Sequence, residues 1–196
     1  IPGLIYLYRH EAKHYALTIM LLIAALLFVL LLRQKDFDRD SLLRREGLRP
    51  WLRRILRFFA LNAGILVLYT WYYHPDIFLG LPENRPLHWF AVLLLYPVLS
   101  AYPQEIIYRA WMFHRYRDLV GDQGVLVVLS AAAFGFAHLF FDNWIAIVLS
   151  LAGGFVFANT YLRSRSLLIT AIEHGLWGDF LFTVGLGMFL FTGNIE

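Results

Sequence analysis

Glu105 and Arg109 stand four residues apart in the stretch "YPQEIIYRAW" (102–111), with Gln104 directly ahead of them. On a helix, positions i and i+4 share a face, so this acid and this guanidinium can pair. Gln104 projects about 100° away from Glu105, and an ion pair alone does not require it. His138 closes the stretch "FGFAH" (134–138), and Glu173, His174 and Asp179 fall in "EHGLWGD" (173–179). A carboxylate and imidazoles gathered at one place can take a proton from a water and return it to a leaving group. A structural reading competes with the chemical one. Buried charges need partners, so Glu105 and Arg109 could simply neutralise each other. A lone intramembrane histidine can also serve as an interhelical hydrogen bonder.

The surroundings of these residues give them weight. The chain is 60% hydrophobic with a mean hydropathy of +0.60, whereas a soluble domain is about 45–50% apolar. Six apolar segments recur: Tyr15–Leu32, Leu56–Tyr73, Leu87 through Tyr102 and onward, Val125–Phe140, Trp144–Leu162 and Leu167–Leu190. Runs of about 18–20 apolar residues cross a bilayer as helices, since lipid cannot satisfy the backbone of irregular strands. The expected fold is therefore all-α, a polytopic bundle of about six transmembrane helices. Ionisable groups inside such spans cost roughly 2.5–3.5 kcal/mol each on insertion scales and are functional candidates. Here they fall on the third, fourth and sixth spans, and the first two spans carry none beyond Arg57 at the edge of the second. This suggests residues 1–80 as an N-terminal pair of spans and 81–196 as a catalytic core.

Depth along the helices brings two of the candidates level. Counted from Arg117, Glu105 lies roughly 18 Å into the bilayer, and His138 lies roughly 21 Å in from Gly124. His174 lies about 10–12 Å from Ser166, so a tilted or re-entrant helix is needed to bring it to the others.

The net charge of +3 is unevenly spread. Arg33, Lys35, Arg39, Arg44, Arg45, Arg49, Arg53, Arg54 and Arg57 fall between the first two spans, and Arg115, Arg117, Arg163 and Arg165 in two later loops. Arg9, Lys13 and Arg85 are alone on the other side. The positive-inside bias puts the basic loops in the cytoplasm and both termini outside. The first residue is Ile1, so a signal or a further span could precede it.

Within 33–57, leucines, Trp51 and Ile55 interleave with the arginines, as in an interfacial amphipathic helix against anionic headgroups. No nucleic-acid module accompanies them, and no nucleic-acid partner is expected. Asp36, Asp38 and Asp40 lack the glycine and glutamate of a calcium loop and read as a solvated turn. Small residues at Ala146, Ser150, Gly154 and Ala158 mark a close helix contact. The absence of cysteine excludes disulfides and thiolate chemistry.

"QEIIYR", "FGFAH" and "EHGLWGD", in that order on successive spans, resemble the CAAX protease and bacteriocin-processing (CPBP, or Abi) family, which includes the CAAX prenyl endopeptidases. The resemblance covers roughly residues 88–190. The family pattern is Glu-Glu-x-x-x-Arg, then Phe-x-x-x-His, then His-x-x-x-Asn or Asp. It implies an intramembrane endopeptidase, with Glu105, His138 and His174 as catalytic residues and Gln104, Arg109 and Asp179 in support. Two positions depart from it. Gln104 replaces the first glutamate, usually taken as the water-activating base, and an amide cannot take a proton. Gly178 stands four residues after His174, with Asp179 one place late. Either Glu105 takes the role of base, or the chain is an inactive immunity or scaffolding relative, or a glutamate has been replaced by design at Gln104.

In the active reading, water lies between a carboxylate and His138, and His174, aided by Gln104, meets the oxyanion. No cofactor is expected; the competing mechanism is a zinc ion on Glu105, His138 and His174, disfavoured by the Arg109 charge beside it. A proton-coupled carrier is a third class, weakened by the lack of a transporter-like repeat. The implied partners are a peptide or membrane-protein substrate and the bilayer, and the implied location is a cell membrane, the bacterial inner membrane above all.

Overall fold

The computed structural model describes residues 15–191. Arg9 and Lys13, used in the charge argument, lie outside the described residues. Among the described residues the chain is helical throughout, and six helices are long and apolar enough to cross a membrane. They are α1 (Ala16–Arg33), α2 (Leu48–Tyr73), α4 (Pro86–Val120), α5 (Gln123–Ala137), α6 (Trp144–Ser164) and α7 (Leu167–Val184). A short α3 (Gly80–Asn84) joins α2 to α4. The protein is a multi-pass membrane protein.

Polar caps fix where the later helices start. Asp122 accepts from the Gly124 N–H, Asn143 from Ala146 and Ser166 from Ile169, each satisfying a backbone donor that the first turn leaves open. α7 ends sooner than the apolar run suggests. Gly185 turns the chain at φ 101°, tight against the Ile77 carbonyl, and Leu186–Leu190 form a separate 3-10 turn rather than more of the span.

The buried share of each span orders them in space. It rises from 11% for α1 and 17% for α2 to 61% for α7. So α7 is the central helix, while Leu22 and Leu26 of α1 and Leu61, Ile65 and Leu68 of α2 face outward, as lipid permits. The small-residue ribbon on α6 packs closely. Ala146 and Ala158 are fully buried, and a Cβ on Gly154 would press on the Ala131 backbone of α5.

One further boundary differs from the sequence reading. The arginine-rich amphipathic stretch is not separate from the second span. Arg49, Arg53, Arg54 and Arg57 occupy the opening turns of a single 26-residue α2. At 1.5 Å per residue that helix is about 39 Å long, longer than a hydrocarbon core of about 30 Å, so its basic turns project from one end. The acidic turn before it keeps Asp36, Asp38 and Asp40 exposed, as expected, and is also anchored to the bundle. Asp38 pairs with Arg44 at 2.6 Å and Asp36 with Arg117 at 3.3 Å. Phe37 and Leu42 are buried, Tyr102 donates to the Leu42 carbonyl, and Ser166 donates to the Arg44 carbonyl. Arg44 in turn donates to the Arg165 carbonyl. The basic loops thus meet at one end of the bundle, and Arg85 begins α4 at the other.

α4 is not a uniform helix. Wide π turns at Pro97–Ala101 and Ile106–Trp111 bracket the regular segment Tyr102–Glu105. Pro97 and Pro103 lack the N–H of the ordinary ladder, and a π turn inside an α-helix shifts the face that the succeeding turns present.

Candidate active site

Arg109 lies at the middle of the bundle with its side chain fully buried. Its Nε is 3.2 Å from Glu105 Oε2, also fully buried. Nη2 donates to the Gly154 carbonyl at 3.1 Å, an approach opened by the small-residue face of α6. The guanidinium also stands 4.7 Å from the Phe134 ring centre and 5.5 Å from that of Phe157. Cation–π contacts of this kind strengthen when water is excluded.

Glu105 has a second partner. Its Oε1 is 2.8 Å from Nδ1 of His174 on α7. A carboxylate only accepts, so Nδ1 carries the proton, and in the neutral form of the ring Nε2 is left as an acceptor. The ring is clamped: Phe157 stacks on it at 4.4 Å and 17°, and Phe134 meets it edge-on at 5.5 Å. Arg109, Glu105 and His174 thereby form one buried chain running from cation to imidazole. His174 thus meets Glu105 directly, as a common site requires. Ser166, the N-cap of α7, is fully buried and donates to the Arg44 carbonyl of the docked turn.

His138 sits where α5 gives way to the 3-10 turn His138–Phe141. Its Nδ1 is 2.7 Å from the Phe134 carbonyl, which again places the proton on Nδ1 and leaves Nε2 as an acceptor. The ring packs on Phe134 at 4.8 Å and stacks on Phe141 at 5.6 Å. Phe134 is therefore a shared wall between the two histidines.

His138 and His174 line one cavity of about 250 Å³, with Phe58, Tyr96, Phe157 and Trp177 among its walls. α2, which has no ionisable residue in its apolar stretch, supplies one side of it. Glu105 is not on the cavity surface; it lies behind the His174 ring. The Tyr96 hydroxyl approaches Nε2 of His174 at 3.1 Å on the cavity side. A second pocket of about 240 Å³, bounded by Trp51, Arg54, Asn159 and Glu173, shares Phe58 and Val156 with the first. It lies toward the basic end, and Glu173 Oε2 is buried without a hydrogen-bond partner there.

Two supporting candidates lie away from the cavity. The Gln104 amide donates to Ser100 Oγ on its own helix at 2.8 Å. Asp179 is off the cavity while Gly178 lines it. One turn beyond Asp179, Thr183 accepts from Trp89 at 3.0 Å, so that side of α7 packs on the first part of α4. Among the described residues no three His, Asp or Glu side chains gather as a metal site. Glu105 approaches Nδ1 of His174 rather than the Nε2 of either ring.

Sequence reasoning missed Tyr96. A tyrosine in an apolar run carries no pattern of its own, and only Gly178, one turn after His174, offered a signal that something else fills that space.

A family model described as Rce1-like, type II CAAX prenyl endopeptidase, matches residues 86–190, more than half of the chain. The matched region runs from the first residue of α4 to the last 3-10 turn. No curated protein and no solved structure matches the chain.

Proposed function

The chain belongs to the Rce1-like, type II CAAX prenyl endopeptidase family, and on that premise we propose that it hydrolyses a peptide bond inside the membrane, with His174 as general base. The observation that carries this reading is the buried chain Arg109–Glu105–His174, which ends at Nε2 beside an apolar cavity. Glu105 holds the ring in one tautomer and stabilises the imidazolium that forms, the part a buried acid takes in a catalytic triad. Glu105 therefore acts through His174 and does not touch the water, a different role from that of a direct base taking the place of the glutamate missing at Gln104. A water in the cavity donates one hydrogen to Nε2 of His138 and the other to Nε2 of His174. Arg109 pairs with the Glu105 carboxylate, and Gln104 braces α4 through Ser100.

The reaction needs no metal in this reading. The substrate is a peptide or the tail of a membrane protein, entering from the bilayer. The basic end of the bundle faces the cytoplasm of a cell, most simply across a bacterial inner membrane. A second reading, an inactive immunity or scaffolding relative, is favoured by Gln104 and Gly178, where the family pattern places Glu and Asn or Asp.

The test uses purified protein in lipid nanodiscs and an internally quenched peptide ending in a farnesylated cysteine and three further residues, beside its unprenylated twin. Cleavage at one bond, lost in both His174→Ala and His138→Ala, supports the hydrolytic reading. Wild-type protein that leaves both peptides intact supports the inactive one.

A further inference from the structure

Tyr96 closes the first regular segment of α4, immediately before Pro97 and the first wide turn. Its hydroxyl is 3.1 Å from His174 Nε2. Its ring is held edge-on between His174 at 6.0 Å and Phe182 at 5.6 Å. Across from it, a Cβ on Gly178 would fall inside the phenol, against Cε1, Cζ and the hydroxyl. The space that a side chain at 178 would fill, one turn after His174, is thus taken by the tyrosine of a neighbouring helix.

A count of donors shows what that hydroxyl can do. Both histidines commit their Nδ1 protons to buried acceptors, Glu105 and the Phe134 carbonyl. Each neutral ring then offers only an acceptor to the cavity, enough to hold a water but not to meet an oxyanion, which requires aimed donors. The polar side chains on the cavity wall are Asn62, Tyr96, Ser150 and Trp177, apart from the histidines. Asn62 is turned to the Phe58 carbonyl of its own helix. Tyr96 is the one in contact with a histidine.

The geometry points to Tyr96 as a catalytic hydrogen-bond donor, whose hydroxyl holds Nε2 of His174 at rest and turns to the substrate carbonyl when a peptide enters. The inference rests on the hydrolytic reading above and adds a residue outside its motifs. Turning the hydroxyl away frees Nε2 to take the water's proton. The water oxygen then bonds to the carbonyl carbon, the C=O π pair moves onto oxygen, and Tyr96 O–H donates a hydrogen bond to it while keeping its proton. Collapse restores the C=O bond and breaks the C–N bond, and the Nε2–H proton passes to the departing amine. Tyr96 ends the cycle as it began, donating to Nε2.

The experiment compares wild type, Tyr96→Phe, Tyr96→Ala and Tyr96→Ala/Gly178→Asn on the farnesylated quenched peptide, each first checked for native helicity and thermal stability. Tyr96→Phe keeps the ring and its packing, so a structural role predicts near-normal turnover. A donor role predicts that kcat falls about 100- to 1,000-fold with KM little changed. In the double variant an amide enters the vacated space, and kcat rises roughly tenfold or more above Tyr96→Ala alone. An active wild type with Tyr96→Phe within about threefold of it overturns the assignment while sparing the hydrolytic reading. No gain from Gly178→Asn in the Tyr96→Ala background overturns the claim that the phenol stands in for a side chain at 178. A wild type without activity overturns both the hydrolytic reading and this assignment.

Discussion

Removing the charge of Arg109 while keeping its bulk, as in Arg109→Met, isolates the electrostatic part of the buried chain. Both partners of the ion pair are fully buried at 3.2 Å, so bulk water screens neither of them. The substitution leaves Glu105 with His174 as its one polar partner and removes the hydrogen bond to the Gly154 carbonyl and the contacts over Phe134 and Phe157. Breaking a buried pair from one side costs about 3–5 kcal/mol, mostly because a charge is stranded. The hydrogen bond to a charged donor, about 1.5–3 kcal/mol taken alone, overlaps with that figure and is not added to it. Glu105→Gln/Arg109→Met removes both charges and strands neither, so most of the loss should return. The assay is a double-mutant cycle by reversible unfolding in bilayers or mixed micelles, followed by near-UV circular dichroism. We expect a coupling energy of about 2–3 kcal/mol. A double variant that loses the sum of the two single losses would refute the reasoning. So would an Arg109→Met protein within about 1 kcal/mol of wild type.

The same geometry sets three further outcomes. Gly154→Val pushes branched carbons into the Ala131 backbone of α5 and should lower stability by about 1–3 kcal/mol; thermal unfolding unchanged from wild type would show that the ribbon is not tightly packed. The chain has no cysteine, so single cysteines at positions 44, 117 and 85 can be labelled without interference. An impermeant maleimide applied to intact cells should modify position 85 and spare 44 and 117, and the reverse pattern would invert the topology. Incubation with 1,10-phenanthroline should leave peptide cleavage unchanged; loss of activity that zinc restores would favour the metal mechanism.

The six spans were legible because an apolar run of helical length has one stable form in lipid. The Glu105–Arg109 pair was legible for a local reason, the i,i+4 spacing. His174 was harder to place. Its depth depends on where α7 begins, and that is set by contacts from Ser166 to Arg44, more than a hundred residues earlier in the chain. The wide turns around Glu105 had a visible cause in Pro97 and Pro103, but proline alone does not say whether a helix kinks, breaks or widens. The acidic turn read as solvated, and its aspartates are exposed, but its composition did not show that Phe37 and Leu42 anchor it from beneath. Tyr96 and Gly178 illustrate the general limit. Neither is unusual alone, and their meaning lies in the space they share across two helices.

The central claim is that His174, held by Glu105, activates the water, and that Gln104 plays no part in proton transfer. The most direct measurement is kcat on the farnesylated quenched peptide for wild type, Gln104→Ala, Gln104→Glu and Glu105→Gln, all in nanodiscs and all checked for fold. The account predicts an active wild type, a Gln104→Ala protein that keeps most of its turnover, and a Glu105→Gln protein that loses about 100-fold or more as His174 loses its tautomer and its support. An inactive wild type that becomes a peptidase on Gln104→Glu would contradict it, and would mark "YPQEIIYRAW" as the site of a disarmed enzyme.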